Sequence, residues 1–571
     1  MFAALSNIRK NIVNDVYPGE YAFQSALYEE VFASGHDGHF LYYPDLLTAV
    51  FEWVRPIGLV SISKDGSSLP VIKIYGEVIS SPETASVVKL INGINAVKYL
   101  QGILCKASWN RDANSAYNSM FYEKSGEAAR LGNGYFSSGG RIRFIYQGPN
   151  TTITFKNSTT VTFKNRATIT RDLTGVVDGP SFYAKFCNPA SPASGTPKGA
   201  NSSNATIPIL PGYPTPVVMT EDGVLSGYFL KGKEYKDVAV IAINSFNPNH
   251  PTRFQKVTQD FLTAALKAGK TKLVVDFQQN TGGLILLAYD FFRQLFPNTV
   301  QDGYSRFKEN DAFITTAKIV SDLAANFNPY TSNNTDLGGL VESWYNWRYD
   351  YSLKNQPFTS FNNKFAPHVF KHTPYTNLMR WNLNHNLTTL NNTYGLGIQI
   401  HGYGNLTNLP QPFKAENIVM MYDGACASTC TIASEFLRHQ ANVKSVAFGG
   451  LPVKGPIEGV GGIKGSQFVT WRNIFFATNF SLPYAKTDKH KAALARYLEL
   501  PLNRTTLAIV NIRDEILKDN IEDGVPAQYI REDADCRLYW TLPMIKDVTQ
   551  VWKATAKAAF NGGKCAHGSI P

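Results

Sequence analysis

"DGACASTC", residues 423–430, decides how the rest of the chain is read. The run before it, "ENIVMMY", is apolar and strand-like, and "TIASEFLRHQ" after it has the spacing of an amphipathic helix. A chain that passes from a buried strand to a helix through Ser428 presents that hydroxyl at the carboxyl edge of a sheet. The first amide hydrogens of the helix are free there to face an oxyanion. Ala427 and Thr429 are small enough to let a carbonyl group come close. Serine is also a favoured helix N-cap, so this segment alone leaves nucleophile and cap both open.

Outward from that turn, strands and helices alternate from about residue 236. "KDVAVIAINSF" reads as a strand, "RFQKVTQDFLTAALKAG" as a helix, "TKLVVDFQQN" as a strand and "GGLILLAYDFFRQLF" as a helix, with "VKSVAFGG" a further strand. That rhythm predicts an α/β core over 236–545 with largely parallel, buried strands. In "LVVDFQQNTGG" (273–283) a strand runs through Asn280 into Gly282 and Gly283, whose amides are unobstructed by a Cβ. They suit a second oxyanion donor as well as a plain tight turn. No Gly-Lys-Ser/Thr comes after them, so this is not a Walker loop. Residues 300–415 interrupt the core with an Asn-, Tyr- and Phe-rich insert of a size expected of a lid or partner surface.

Toward the N-terminus, residues 1–57 read as a helical segment, since "YAFQSALYEEVFA" and "YYPDLLTAVFEWV" place apolar residues at three- and four-residue spacing. Residues 58–230 read as a β-rich α+β module. Its "INGINAVKYL" resembles the strand, Asn-Gly turn and helix of PDZ-like modules, and "GRIRFIYQG" and "TTITFKNSTTVTFKN" predict hairpins. That module ends in an exposed Pro-, Ser- and Gly-rich linker at about 188–215. A C-terminal helix and tail are expected over 546–571. In "GHDGHF" (35–40), His36 and His39 stand three apart. The glycines spoil a helix and no Glu lies between the histidines, so one histidine acting as a general base suits the stretch better than a metal pair.

At 571 residues the chain is long enough for two or three domains, and 13% aromatic content favours sheets and peptide-binding clefts. No apolar run reaches the ~18 residues of a membrane span. The net charge of +11 is spread among 55 basic and 44 acidic residues without a basic run of five, which argues against nucleic acid. Ten Asn-x-Ser/Thr acceptors, among them Asn150, Asn157, Asn201, Asn204, Asn333 and Asn405, and an even six cysteines favour a glycosylated protein of the secretory route. The opening "MFAALSNIRKNIVND" lacks the regions of a signal peptide, so a mature or truncated chain is expected. Pairings cannot be deduced from spacing; Cys536 with Cys565 is the first one expected.

Taken in order along about 30–540, these pieces resemble the S41 family of serine peptidases, the tail-specific proteases, and most closely its secreted branch with the chlamydial protease-like factor and fungal members. "DGACASTCTIASEF" is similar to the family's nucleophile segment, "VVDFQQNTGG" to its Asn-x-Gly-Gly strand end, and "DGHF" to the Asp-x-His of histidine-dependent members. "GGLPVKGPIEGVGGIKG" (449–465) and "YIREDADCRLYWT" (529–541) resemble fungal members. The resemblance implies a PDZ-like module beside a ClpP/crotonase-like α/β protease core. It makes Ser428 the nucleophile and His39 its base, with His36 the alternative. The oxyanion hole falls on Thr429 and on Gly282 or Gly283. The carboxylate that orients the histidine is expected at Glu532, with Glu522 and Glu515 as alternatives. Other members use a Ser-Lys dyad; Lys454 lies near that lysine's place, but "LPVKGPIEG" lacks the family's Gly-Lys-Gly.

The activity that this resemblance implies is that of a serine endopeptidase acting on protein or peptide substrates through an acyl-enzyme, with no metal or organic cofactor. It allows a secreted nutritional or virulence protease, or a processor of a ribosomal precursor peptide in fungal secondary metabolism. Three other readings compete. A catalytically inactive peptide-binding protein on the same scaffold stays open, as does Cys426 or Cys430 as nucleophile. An α/β-hydrolase esterase is disfavoured, because "CASTC" is no Gly-x-Ser-x-Gly.

Overall fold

Strands that are apolar at every position belong in a sheet covered on both faces, and four such runs build the centre of this molecule. The computed structural model describes residues 1–187 and 212–570. The stretch read as a linker, with the acceptors Asn201 and Asn204, lies largely outside the described residues.

The chain opens with α1 (Phe2–Val13) and α2 (Glu20–Ala26), then turns through His36 to β1 (Phe40–Pro44). "YYPDLLTAVFEWV" is therefore not one helix. Phe40–Pro44 and Phe51–Val54 are strands around the short helix Asp45–Ala49. Spacing suggested a helix, but β1 is held as a strand by antiparallel pairing to a segment some 470 residues away, Phe40 opposite Val510, a tertiary override that no local pattern announces.

The neighbouring module has β2 (Val88–Ile91), α3 (Ala96–Ala107), α4 (Ala113–Asn118) and β3 (Asn150–Phe155), with β2 and β3 adjacent in a four-stranded sheet. Asn95 caps α3 by accepting from Lys98 N, and Asp112 caps α4 by accepting from Asn114 N and Ser115 N, each stabilising its helix by about 1 kcal/mol. Leu59, Ile91, Leu100, Tyr117 and Phe136 form this module's own core. "GRIRFIYQG" makes no hairpin strand; Ile142–Phe144 form a single 3-10 turn.

The central sheet contains β4 (Leu225–Phe229), β5 (Val238–Ile243), β6 (Lys272–Asp276), β7 (Ile418–Tyr422), β8 (Lys444–Phe448) and β11 (Cys536–Leu538) as neighbours in that order, numbering as β9 (Gln467–Thr470) and β10 (Thr505–Ile516) two strands of a second sheet. From β5 to β11 every pairing is parallel. Alternate residues face opposite sides. Ile241, Val275 and Met420 pack under the helices α5 (Pro251–Lys267), α6 (Ile285–Leu295) and α7 (Thr429–Glu435), whereas Val240, Val274 and Met421 meet Trp552 of α8 (Val548–Phe560). Each large side chain so buried contributes roughly 1.5–3 kcal/mol.

The second sheet sets β10 between β1 and β9, and Tyr304–Phe307 pairs with the end of β10. The insert thus lends a strand to this sheet and closes an aromatic core of its own around Tyr345 and Phe365. Cys536 is bonded to Cys565, and Cys426 to Cys430. Among the described residues no helix is long and apolar enough to cross a membrane.

Candidate active site

β7 ends at Tyr422 and α7 begins at Thr429, and Ser428 stands at the junction with φ 56° and ψ −120°. A non-glycine residue in that region costs free energy that the surroundings must supply. Here they do so on every side. Ser428 N donates to Ile463 O at 2.7 Å, Ala427 N donates to Asn280 O at 3.1 Å, and the Cys426–Cys430 disulfide ties the two flanks of the turn together. The disulfide also removes both cysteines as nucleophiles. Ser428 makes no side-chain capping bond to its helix, so the N-cap reading of its hydroxyl fails.

The loop after β6 lies directly against this turn. A methyl on Gly282 would fall 2.8 Å from Ser428 Cβ and 2.9 Å from Thr429 N, and one on Gly283 2.2 Å from the Phe246 carbonyl carbon. With φ values of +98° and +149° as well, only glycine fits at either position. Gly282 N, however, donates to Asn280 Oδ1 at 2.9 Å. Its hydrogen is already engaged, which corrects its expected part as an oxyanion donor. Among the described residues, the amide hydrogens of Gly283 and Thr429 have no acceptor within the protein.

His39 is 3% exposed and its ring stacks obliquely on Phe468 at 5.2 Å. Asp37 Oδ1 accepts its backbone N–H at 2.7 Å, fixing the turn. The segment Ile463–Gly465 brings the imidazole to the serine's side of the molecule. Gly38 abuts the Ile463 side chain, whose carbonyl holds Ser428, and a methyl on Gly465 would sit 3.1 Å from His39 Nδ1. Burial lowers the His39 pKa to about 4, partly opposed by Asn511, so the ring is neutral near pH 7. His36 occupies a left-handed position (φ 46°) that closes the preceding turn; burial, then the charge of Arg141, lower its pKa.

Glu532 is not at His39, which corrects the expected carboxylate. Its Oε1 accepts from His439 Nε2 at 2.7 Å and its Oε2 pairs with Lys464 Nζ at 3.0 Å. Burial alone would raise its pKa, but the His439 hydrogen bond and the Lys464 charge hold it at about 2. Glu515 is buried against Glu435, and burial pushes it up to about 7; Glu522 is exposed in a turn. The polar side chain that reaches His39 is Asn511, opposite Phe468 in the β9–β10 register, and the same methyl on Gly465 would meet its carboxamide at 2.9 Å. The Asn511 carboxamide faces two acceptors, Gln467 O and Arg513 O, which its nitrogen would satisfy at 2.8 and 3.3 Å once turned toward them. Sequence reasoning missed Asn511 because a lone Asn in "AIVNIRDEI" carries no motif.

Lys454 is exposed. The buried lysine of this region is Lys464, in "GGIKG", a glycine-flanked pattern that was open to view; its Nζ is held by Glu532 and Glu458. No cluster of three or more His, Cys, Asp or Glu side chains among the described residues is arranged to hold a metal. What remains is a serine hydroxyl free of structural duty, two free amide hydrogens beside it, and a neutral imidazole held on the same supporting segment.

Comparison with known proteins gives matching results. The model of a CPAF-like PDZ domain matches residues 52–174, and that of peptidase family S41 matches 237–447. The peptidase S41 family protein ustP of Aspergillus flavus is 31% identical over 382 residues, covering 62% of this chain and 76% of that relative. Another peptidase S41 family protein, phomP1 of Diaporthe leptostromiformis, is 25% identical over an alignment of 632 positions, covering 98% and 89%. A crystal structure of a CPAF mutant, 12% identical, covers 99% of this chain and 93% of its own with a TM-score of 0.51, a likeness of fold alone.

Proposed function

The chain belongs to peptidase family S41, and from that premise we propose that it is a serine endopeptidase with Ser428 as nucleophile and His39 as general base. His39 accepts the Ser428 Oγ proton as Oγ attacks a peptide carbonyl. The oxyanion is received by the amide hydrogens of Thr429 and Gly283, and water then releases the acyl-enzyme. Such a donor typically supplies ~3 kcal/mol of transition-state stabilisation. Asn511 favours the charged form of His39 and so supports the imidazolium that burial opposes.

The observation that carries this reading is the packing of Gly282 onto Ser428, with Gly283 tied to the same turn by the bond from Thr429 Oγ1 to Gly283 O at 2.7 Å; a free hydroxyl and two unengaged amide hydrogens belong to these joined turns. The test is labelling by a fluorophosphonate probe. The wild type is expected to react at Ser428 and Ser428→Ala not at all; an unlabelled wild type that still binds peptides would establish the inactive binding protein instead.

Ser428 and His39 are 9% and 3% exposed. Side chains so little exposed are reached by an extended segment more readily than by the surface of a folded protein, which favours limited trimming of a flexible peptide precursor over broad digestion. Digestion of a mixed peptide library beside a folded protein separates the two. Residence in the secretory route is part of this proposal: it is supported by the two disulfides and by exposed acceptors at Asn150, Asn157, Asn333 and Asn405. A fall in apparent mass of the native protein on deglycosylation tests it.

A further inference from the structure

Gln279 is the residue at which the loop after β6 leaves the sheet, and it does so with φ +57°. One carboxylate holds it there. Asp423 Oδ2 accepts from Gln279 N at 2.9 Å and from Gln279 Nε2 at 2.6 Å, while Asp423 Oδ1 accepts from Ala425 N at 2.8 Å. The first two bonds fasten the loop that carries Gly283, and the third fastens the loop that carries Ser428 and Thr429. Asp423 is thus bonded to both loops at their roots, and both proposed oxyanion donors lie within six residues of it or of Gln279. Gln279 Nε2 also donates to Glu123 Oε2 at 3.1 Å, so two buried carboxyl groups share one amide. Glu123 comes from the PDZ-like module, which grips the same turn elsewhere: Asn118 Nδ2 donates to Asp423 O at 2.7 Å and Ser115 Oγ to Gly424 O at 2.6 Å.

We infer that Asp423 is a positioning residue that keeps the Gly283 and Thr429 donors in register through Gln279 and Ala425, and that Glu123 completes this clamp from the neighbouring module. The inference rests on the proposed role of Ser428 and deepens it. Asp423 and Glu123 are 1% and 3% exposed, so water does little to screen one from the other. Two bare carboxylates this close repel, and one proton is held in the pair. Burial, then the Asp423 charge, raise the Glu123 pKa well above its ordinary value, which makes Glu123 the carrier and donor to Asp423. The other titratable groups facing the pair are Asp276, which burial raises to about 7, with Tyr135 and Tyr213 behind. Loss of the Glu123 proton as pH rises sets two negative charges against each other and loosens both loops.

Two variants test this. Asp423→Asn keeps the shape but offers an amide donor to groups that are themselves donors. The expected result is a fall in kcat of about 100-fold with KM changed less than about threefold, together with faster deuterium exchange in peptides spanning 277–284 and 423–430 and unchanged exchange elsewhere. Glu123→Gln keeps a neutral hydrogen-bonding group that cannot ionise. The clamp predicts a fall in wild-type kcat as pH rises past the point where Glu123 loses its proton, and this variant is expected to lack that fall, which a purely structural role would leave in place. Normal kcat and normal local exchange in Asp423→Asn, or a wild-type alkaline limb in Glu123→Gln, would overturn the clamp. The exchange measurement needs no turnover, so it judges the clamp even if fluorophosphonate labelling has refuted Ser428; should Asp423→Asn not fold, the pH profile of Glu123→Gln decides.

Discussion

The two halves of the candidate site are built in opposite ways. Ser428, Thr429, Gly282 and Gly283 sit on turns between consecutive strands and helices, whose local conformation comes from the neighbouring chain and whose union comes from bonds such as Ala427 N to Asn280 O and Gln279 N to Asp423 Oδ2. His39 sits ahead of an edge strand whose place is set by pairing with a segment some 470 residues distant. The first half is a rigid, doubly fastened cradle, with a disulfide across the nucleophile turn and a carboxylate beneath it. The second is a histidine in an apolar wall with a single amide beside it. Oxyanion geometry here begins in local turns that long-range bonds then fasten together, and base geometry is a property of the assembled molecule throughout.

This contrast breaks first if the base is elsewhere. His39→Ala is expected to lower kcat by about 10⁴-fold with the fold intact, whereas His36→Ala should stay within about fivefold; the reverse order would move the base to the turn. Gly282→Ala comes next, with a loss of at least about 10²-fold, because the new methyl has to displace Ser428 Cβ. Asn511→Ala should cost about tenfold, from lost support of the imidazolium. Its measurable sign is an acid limb of kcat/KM moved below the wild-type value. In the wild type His39 works as the neutral base above its pKa, so activity should persist well below pH 6 and fall through about pH 4; a limb near 6.5 would mean a solvated ring. The smallest catalytic effect is expected for Glu532→Gln, within about threefold in kcat.

The Glu532 substitution sharpens the comparison through stability instead. Breaking a buried pair by removing one partner typically costs about 3 kcal/mol, and Glu532 is 5% exposed against Lys464. Its folded pKa of about 2 lies below the ordinary value of about 4.3. The charged pair therefore stabilises the protein above that ordinary value, and the contribution is lost as pH falls through about 2. Thermal melts of wild type and Glu532→Gln should differ at pH 7 and converge only as pH falls through about 2.

What was legible in the chain divides along the same line. Ser428 and the glycine pair were readable because strand, turn and helix signals stand side by side around them. β1 was not: "YYPDLL" carries helical spacing, and only its distant partner makes it a strand. Asn511 was hidden because alternation in "AIVNIRDEI" says which face a residue takes and nothing about which imidazole lies opposite. Glu532 attracted the carboxylate role as an acid in a resembling stretch, yet its charge belongs to Lys464 and to His439, the latter 93 residues away. Asp423 and Gln279 stood inside both quoted motifs, but the hydrogen bonds that join them cross 144 residues.

The central claim is that one hydroxyl in the strained turn after β7 is the nucleophile. Its most direct measurement is intact-mass and peptide mass spectrometry of the protein after reaction with a fluorophosphonate. A single adduct on Ser428, absent from Ser428→Ala and strongly slowed in His39→Ala, is the predicted result. An adduct on another residue, or equal labelling of Ser428→Ala, would contradict it.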